Sequence, residues 1–164
     1  MDQIIDQMKE EFLLYAGRKY MGYVGGDIIY KIMQDNDRFL SVRFDTVINL
    51  GGSVEYCRCL TMDKQSGKII SLDDLFTDGY IEAISKEILR QMEEQVAGGQ
   101  AAYFIPGGIW SEEECFKEIT ADRNFYLNAE NKLVIVFDEY EVAPGSMGMP
   151  EFVIPEEVLE EFRR

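Results

Sequence analysis

The feature that most limits how this chain can fold is a block of β-type segments at residues 27–71 that no helical pattern interrupts. The segments are rich in Val, Ile, Tyr, Phe and Thr, and short turns of polar residues and glycine separate them. Four of them follow one another, at residues 27–34, 38–50, 53–63 and 68–71. Parallel neighbours need a crossover of about a dozen residues or more, so these strands are predicted to pair antiparallel.

Helical patterns lie on either side of this block. Four helices are predicted, at residues 2–20, 78–96, 111–119 and from 155 onward. A capping box of Ser111 and Glu114 indicates the third helix, and Pro155 at a first helical position indicates the last. Further strand segments occur at residues 125–127, 133–140 and 151–154. Because strands and helices come in blocks, we predict an α+β fold, with a mainly antiparallel sheet packed against three to four helices in a single domain.

Composition excludes several classes of function. The 31 acidic residues against 16 basic ones give a net charge of −15, which repels nucleic acid and anionic lipid. Such a charge steers a basic protein or a cation toward the surface, or it serves only to keep the domain soluble. The chain contains no His, so the commonest general base and metal ligand are absent. No apolar run is long enough for a membrane span, and we expect no membrane contact by this segment. The three cysteines do not form a disulfide pattern, and we predict buried free thiols.

The acidic residues do not form a recognisable chemical site. Asp138, Glu139 and Glu141 lack the spacing of an EF-hand loop, which favours a solvated strand face over a Ca²⁺ site. Carboxylates are so numerous that a pair suited to glycoside hydrolysis has no specificity as a signal, and a carboxylate hydrolase remains a remote alternative. We predict no cofactor, no metal and no catalytic residue.

One loop, residues 143–150, has the composition of a recognition element. Its two prolines stiffen the backbone, its two glycines allow close approach, and its two methionines offer adaptable apolar contact. A structural crossover with buried methionines explains the composition equally well. Trp110 is a second candidate anchor for a partner, although a Trp just before a helix start more often packs in the core.

Three stretches carry a resemblance to a known family: GKIISLDDLF (67–76), FYLNAENKLVIVFDEYEVAPGSMG (125–148) and EFVIPEEVL (151–159). Together they resemble the RsiV-like extracytoplasmic domain family, whose members include a lysozyme-responsive anti-sigma factor and domains beside peptidoglycan deacetylases. Two positions depart from the family pattern. Ser53 follows Gly51-Gly52 without the family's nearby His, and Gly145 stands where members often place an aromatic residue. Full members also have a longer N-terminal region, so we expect residues 1–164 to be one domain without that region or its anchor.

The resemblance implies a non-catalytic binding or sensor domain outside the cytoplasmic membrane, anchored or secreted in the full-length protein. It implies a protein partner, such as lysozyme or another basic protein. An accessory domain that binds cell-wall glycan or positions an enzyme is the alternative. The candidate binding residues are Gly51, Gly52, Tyr140, Pro144, Gly145, Ser146, Met147 and Met149.

Overall fold

Seven antiparallel strands in two sheets form the framework of the computed structural model, which describes residues 24–50 and 52–164. The first sheet has the order β1 (Val24–Asp35), β2 (Phe39–Leu50), β3 (Ser53–Asp63), β4 (Lys68–Ile70). The second has the order β5 (Phe125–Leu127), β6 (Leu133–Val136), β7 (Glu151–Val153). Three α-helices occur in these residues: α1 (Leu72–Leu75), α2 (Tyr80–Ala97) and α3 (Glu156–Leu159). The predicted α+β class is confirmed, and the helix predicted at residues 2–20 lies outside the described residues.

The first sheet is the predicted block of hairpins. At the β1–β2 turn, Asn36 Oδ1 accepts hydrogen bonds from the backbone N–H groups of Arg38 and Phe39, at 2.9 and 2.7 Å. These two local hydrogen bonds satisfy the backbone of the turn in place of water and fix the strand register. In that register Phe44 of β2 pairs with Tyr30 of β1 on one side and with Arg58 of β3 on the other. A single irregularity between Ile32 and Gln34 interrupts the β1–β2 ladder near the turn.

The second sheet is the centre of the molecule, and every residue of β5 and β6 is buried. One of its faces carries Phe125, Leu127, Leu133 and Ile135, which pack in the main core with the buried stripe of α2. The other face carries Tyr126, Val134 and Val136, which pack against Cys57 of β3. Side chains of successive residues point to opposite faces of a strand, so continuous apolar runs are required in a sheet covered on both sides.

Polar side chains connect the two sheets. The Ser41 hydroxyl, fully buried in β2, bonds to Thr61 Oγ1 at 2.8 Å and accepts the N–H of Leu127 at 3.1 Å. Arg43 forms ion pairs with Asp45 and Glu151. Although burial opposes its charge, the hydrogen bond to Asp45 and the Glu151 charge raise the pKa of Arg43 above its ordinary value. Each of these groups would cost free energy if buried alone, so the contacts fix how the sheets sit on each other.

Two predicted helices are present, since the helix predicted from residue 155 onward is α3, and α1 was not among the predicted helices. The predicted helix at residues 78–96 is α2, and Ile84, Ile88 and Met92 on its stripe are fully buried. The helix predicted at residues 111–119 is wrong. The Ser111 and Glu114 capping contacts form, at 2.8 and 3.0 Å, but only a single turn follows them.

Beyond that turn, backbone N–H groups donate hydrogen bonds to residues that are distant in sequence. The N–H of Phe116 donates to the carbonyl of Phe104 at 2.7 Å, and the N–H of Ile119 donates to Ser85 Oγ at 3.0 Å. These bonds replace the i to i−4 bonds of a helix, and they bury Phe116 and Ile119 in the main core. Tertiary packing therefore overrides the local sequence signal for a helix that starts at Ser111.

Candidate binding surface

The loop at residues 143–150 is folded as a rigid, half-buried turn. Pro144 leads into a short 3₁₀ turn, Gly145–Met147, in which the Met147 N–H donates to the Pro144 carbonyl at 2.9 Å. At the far end, the carbonyl of the buried Pro150 accepts the N–H of Phe137 at 3.0 Å. Met147 packs against the main core, and Met149 packs against the Cys57 side of the second sheet. The methionines thus anchor the loop, and Ser146 is its exposed residue.

Tyr140 covers this loop and is exposed to solvent over 57% of its surface. Its backbone has φ of 66°, a left-handed conformation that non-glycine residues seldom adopt. The ring lies directly over Gly145, where a Cβ would meet Tyr140 Cζ, Oη and Cε1 in steric overlap. Gly145 therefore provides the space for the exposed aromatic ring of Tyr140. An aromatic side chain thus lies over this loop, although it comes from position 140.

Hydrogen bonds join the segment before the loop to the start of β3. Glu139 Oε2 accepts the N–H of Glu55 at 2.8 Å, and the Glu139 N–H donates to the Glu55 carbonyl at 3.3 Å. Asp138 Oδ1 accepts the N–H of Cys57 at 2.8 Å. These bonds bring the β2–β3 turn, with its exposed residue Gly52, to the same end of the molecule as Tyr140. Gly51 lies outside the described residues.

A second loop, residues 105–114, lies beside the first because the N–H of Phe104 donates to the carbonyl of Val142 at 2.8 Å. Trp110 is half-buried, and its ring packs edge-on against Phe104 at a centroid distance of 4.5 Å. Ile109 is 91% exposed and was missed by the sequence analysis. A β-branched residue directly after Pro106-Gly107-Gly108 was the available signal, because a glycine-rich turn leaves little surface to cover it.

A polar cleft of about 510 Å³ opens next to these loops. It is lined by Arg58, Thr120, Asp122, Arg123, Asn124, Asp138 and Glu141. Burial raises the pKa of Asp138, against the lowering effect of its Cys57 hydrogen bond and of Arg58. Arg123 pairs with Glu141 at 2.6 Å, and its guanidinium lies 4.7 Å from the centre of the Phe137 ring. Arg58, Arg123, Asp138 and Glu141 thus have charged or hydrogen-bonding partners within the fold, although the buried Nε of Arg123 has no hydrogen-bond partner.

The described residues offer little to a metal ion. No group of three or more Asp, Glu or Cys side chains within residues 24–50 and 52–164 is arranged to hold one. None of the helices in the same part of the chain is both long and apolar enough to cross a membrane.

We call the surface formed by Gly52, Glu55, Ile109, Tyr140 and Ser146 the loop surface. The fold and this surface define a small α+β domain that presents loops from one end of two antiparallel sheets. The chain belongs to the DUF3298 family, described as a protein of unknown function, whose family model matches residues 73–157.

Similarity to individual proteins supports this assignment. The chain is 35% identical over 155 residues to the anti-sigma-V factor RsiV of Bacillus subtilis (strain 168), so the predicted RsiV-like domain is confirmed. The alignment covers 93% of this chain and 53% of that protein, so the chain spans about half the length of this relative.

Two crystal structures share the fold. A DUF3298 family protein from Pseudomonas aeruginosa PAO1 matches 95% of this chain and 67% of its own, with a TM-score of 0.68. A DUF3298 family member from Bacteroides fragilis NCTC 9343 matches 99% of this chain and 66% of its own, with a TM-score of 0.66. Each is 18% identical to this chain, so the likeness concerns the fold alone.

Proposed function

We propose that this chain is a non-catalytic binding domain that recognises a basic protein through its loop surface, and that it works outside the cytoplasmic membrane. The observation that carries the proposal is the composition of that surface. Two exposed apolar side chains, Ile109 and Tyr140, lie close in sequence to carboxylates, since Glu112 and Glu113 follow Ile109 and Glu139 and Glu141 flank Tyr140. An interface that combines apolar or aromatic anchors with complementary charge matches the energetics of protein recognition.

The sequence around the anchors is strongly acidic. Residues 133–151 contain four acidic residues and no Lys or Arg. Glu112 and Glu113 follow Ile109 closely, are exposed, and take part in none of the ion pairs within the described part of the chain. Carboxylates left free of ion pairs add to the field that steers a basic partner toward the anchors.

Two observations favour protein binding over the alternatives. The Trp110 ring is half-buried and packs edge-on against Phe104, which disfavours a glycan platform built on a fully exposed ring. In the polar cleft, Asp138 and Glu141 are occupied by the Cys57 N–H and by Arg123, which disfavours a hydrolase that uses them. The similarity to an anti-sigma factor supports a sensor that passes a binding event to a segment outside this chain.

Lysozyme is the specific partner that we propose. Calorimetric titration of lysozyme into the domain at physiological salt is expected to give saturable binding that weakens as salt is raised, because screening shortens the reach of the acidic field. A second basic protein of similar size and charge is the comparison that separates specific recognition from charge attraction. Equal heats from both proteins, or no heat from lysozyme, would contradict the lysozyme proposal.

Matched variants locate the surface. Glu112→Gln with Glu113→Gln should weaken binding and reduce its salt dependence. Tyr140→Ala removes an anchor and should weaken binding by tenfold or more, which corresponds to about 1.4 kcal/mol. Glu160→Gln with Glu161→Gln removes the same charge from the C-terminal segment, where the Arg164 N–H donates to the carbonyl of Leu75 in α1 at 3.1 Å. If this control weakens binding as much as the first pair, the loop surface has no special role.

A further inference from the structure

The first strand has an unusual exposure. All seven residues from 26 to 32 are exposed, although they form the middle of the 12-residue strand β1. They include four large apolar side chains: Ile28 at 42%, Ile29 at 59%, Tyr30 at 67% and Ile32 at 58% exposed. Successive side chains of a strand point to opposite faces, so both faces of β1 are open here.

The same strand has a free edge. β1 is the terminal strand of its sheet, and no other strand in residues 24–50 and 52–164 pairs with its outer side. Natural proteins usually protect such edges with short strands, Pro, a central bulge or charged side chains, especially Lys. The one Lys of β1, Lys31, is paired within the sheet with Asp45 at 2.9 Å. β1 contains no Pro, and its one irregularity comes after Ile32, so the ladder from Val24 to Ile32 is regular. A long, apolar, regular edge is a template for another strand.

We propose that β1 pairs with β1 of a second copy of this chain, antiparallel about a two-fold axis through Ile29. The two four-stranded sheets would then join into one continuous sheet across the dimer. A two-fold interface uses the same patch on both molecules, so the strand must be complementary to itself.

The sequence of β1 meets this requirement in the register centred on Ile29. Asp27 of each copy lies opposite Lys31 of the other, and Ile28 lies opposite Tyr30. Ile29 meets itself at the axis. Directly opposed charges of opposite sign and opposed aromatic and β-branched residues both stabilise antiparallel pairs. Moving the axis by one residue to Tyr30 would oppose Lys31 with Ile29, so the charges select one register.

The charge of this segment differs from that of the whole chain. Residues 26–32 carry one acidic and one basic residue and are neutral, whereas the chain carries a net charge of −15. Repulsion between two such molecules acts over long distances and is screened by salt, whereas opposed side chains lie within a Debye length of about 8 Å at physiological ionic strength. Association should therefore increase when salt is raised from a low concentration toward the physiological one, which is opposite to the salt dependence of binding a basic protein.

Sedimentation equilibrium over micromolar to millimolar concentrations tests the proposal. The wild-type chain is expected to form dimers, and hydrogen exchange of the amides at residues 26–32 is expected to slow as the dimer forms. Asp27→Lys and Lys31→Asp each place like charges opposite each other twice, so each should raise the dimer dissociation constant on the order of tenfold or more. Asp27→Lys leaves the intramolecular Lys31–Asp45 pair of 2.9 Å intact, so it remains informative even if Lys31→Asp is poorly folded.

The decisive measurement mixes the two single variants. Asp27→Lys and Lys31→Asp molecules are complementary to each other, so they should form heterodimers while each alone associates weakly. The double variant Asp27→Lys/Lys31→Asp should dimerise like the wild type. A monomeric wild type throughout the series overturns the proposal. Dimers that all four proteins form equally well overturn it too, because another surface must then hold them.

Discussion

The attachment of the loop surface to β3 predicts a measurable difference between two substitutions of Asp138. This carboxylate accepts the N–H of Cys57, a residue that is only 1% exposed. Asp138→Ala leaves that buried donor without a partner, which costs about 1–3 kcal/mol. Asp138→Asn keeps a carbonyl oxygen at the acceptor position and removes a charge that burial disfavours. We therefore expect Asp138→Asn to be at least as stable as the wild type at pH 7.

The contribution of the neighbouring ion pair does not reverse this expectation. Arg58 Nη1 lies 3.7 Å from Asp138 Oδ2, and the Arg58 side chain is 45% exposed. Exposed pairs of this kind contribute about 0–1 kcal/mol. Urea unfolding at pH 7 measures the free energy of unfolding of the three proteins, with an unchanged denaturant slope showing that the unfolded state is the same. If Asp138→Asn destabilises the protein as much as Asp138→Ala, the charge itself is stabilising and the reasoning is wrong.

The pH dependence of that difference provides a second check. Because burial raises the pKa of Asp138 in the folded state, the folded protein binds this proton more tightly than the unfolded chain does. The wild type therefore gains stability relative to Asp138→Asn as the pH falls through the raised pKa toward the ordinary value. The advantage of Asp138→Asn should be largest at neutral pH and should shrink on acidification. An advantage that grows on acidification would refute the assignment of burial as the cause.

Two further predictions concern the framework. Ser41→Ala should lower the free energy of unfolding, measured with urea, by about 1–3 kcal/mol, because it leaves the buried N–H of Leu127 without its acceptor. A decrease below about 0.5 kcal/mol would mean that the sheets are held together by apolar packing alone. Gly79→Ala should lower the melting temperature more than Gly67→Ala. Both glycines have positive φ, at 98° and 72°, but only at Gly79 does a Cβ approach another residue, Phe162 Cε1 at 2.9 Å. Left-handed backbone alone costs about 1–2 kcal/mol, so equal shifts would show that Phe162 moves aside freely.

The parts of the fold that sequence predicts well are those set by local patterns. The strands at residues 27–34, 38–50 and 53–63 and their short polar turns lie within one predicted hairpin block, and the buried residues of α2 repeat at helical spacing. The predicted strand through Tyr140 ends at Val136 instead, because the N–H of Phe137 donates to Pro150 and Asp138 turns toward β3. Such partners are distant in sequence and have no local signature.

The candidate site, like the fold, was predictable from the sequence only where a local pattern indicated it. Composition alone selected the loop at residues 143–150, and the structure shows that its methionines pack inward and that Tyr140 is its exposed aromatic residue. That Gly145 lies beneath the Tyr140 ring depends on the left-handed backbone at Tyr140, which residue type does not indicate. The binding roles of these residues stay predictions. For Ile109 the preceding Pro106-Gly107-Gly108 turn was the only local signal, and the exposure of a single apolar residue depends also on what the rest of the chain leaves uncovered.

The free cysteines allow the opening of this domain to be followed by chemical labelling. Cys57 and Cys115 are buried, and Cys59 Sγ lies 3.8 Å from Cys57 Sγ. The Cys57 hydrogen bond and burial raise the pKa of Cys59, and only a thiolate exchanges or alkylates rapidly. Modification must therefore wait until the structure opens. The rate at which a thiol reagent labels the domain under native conditions therefore measures how often the structure opens. A partner that stabilises the domain would lower this labelling rate, and no engineered probe is needed to measure it.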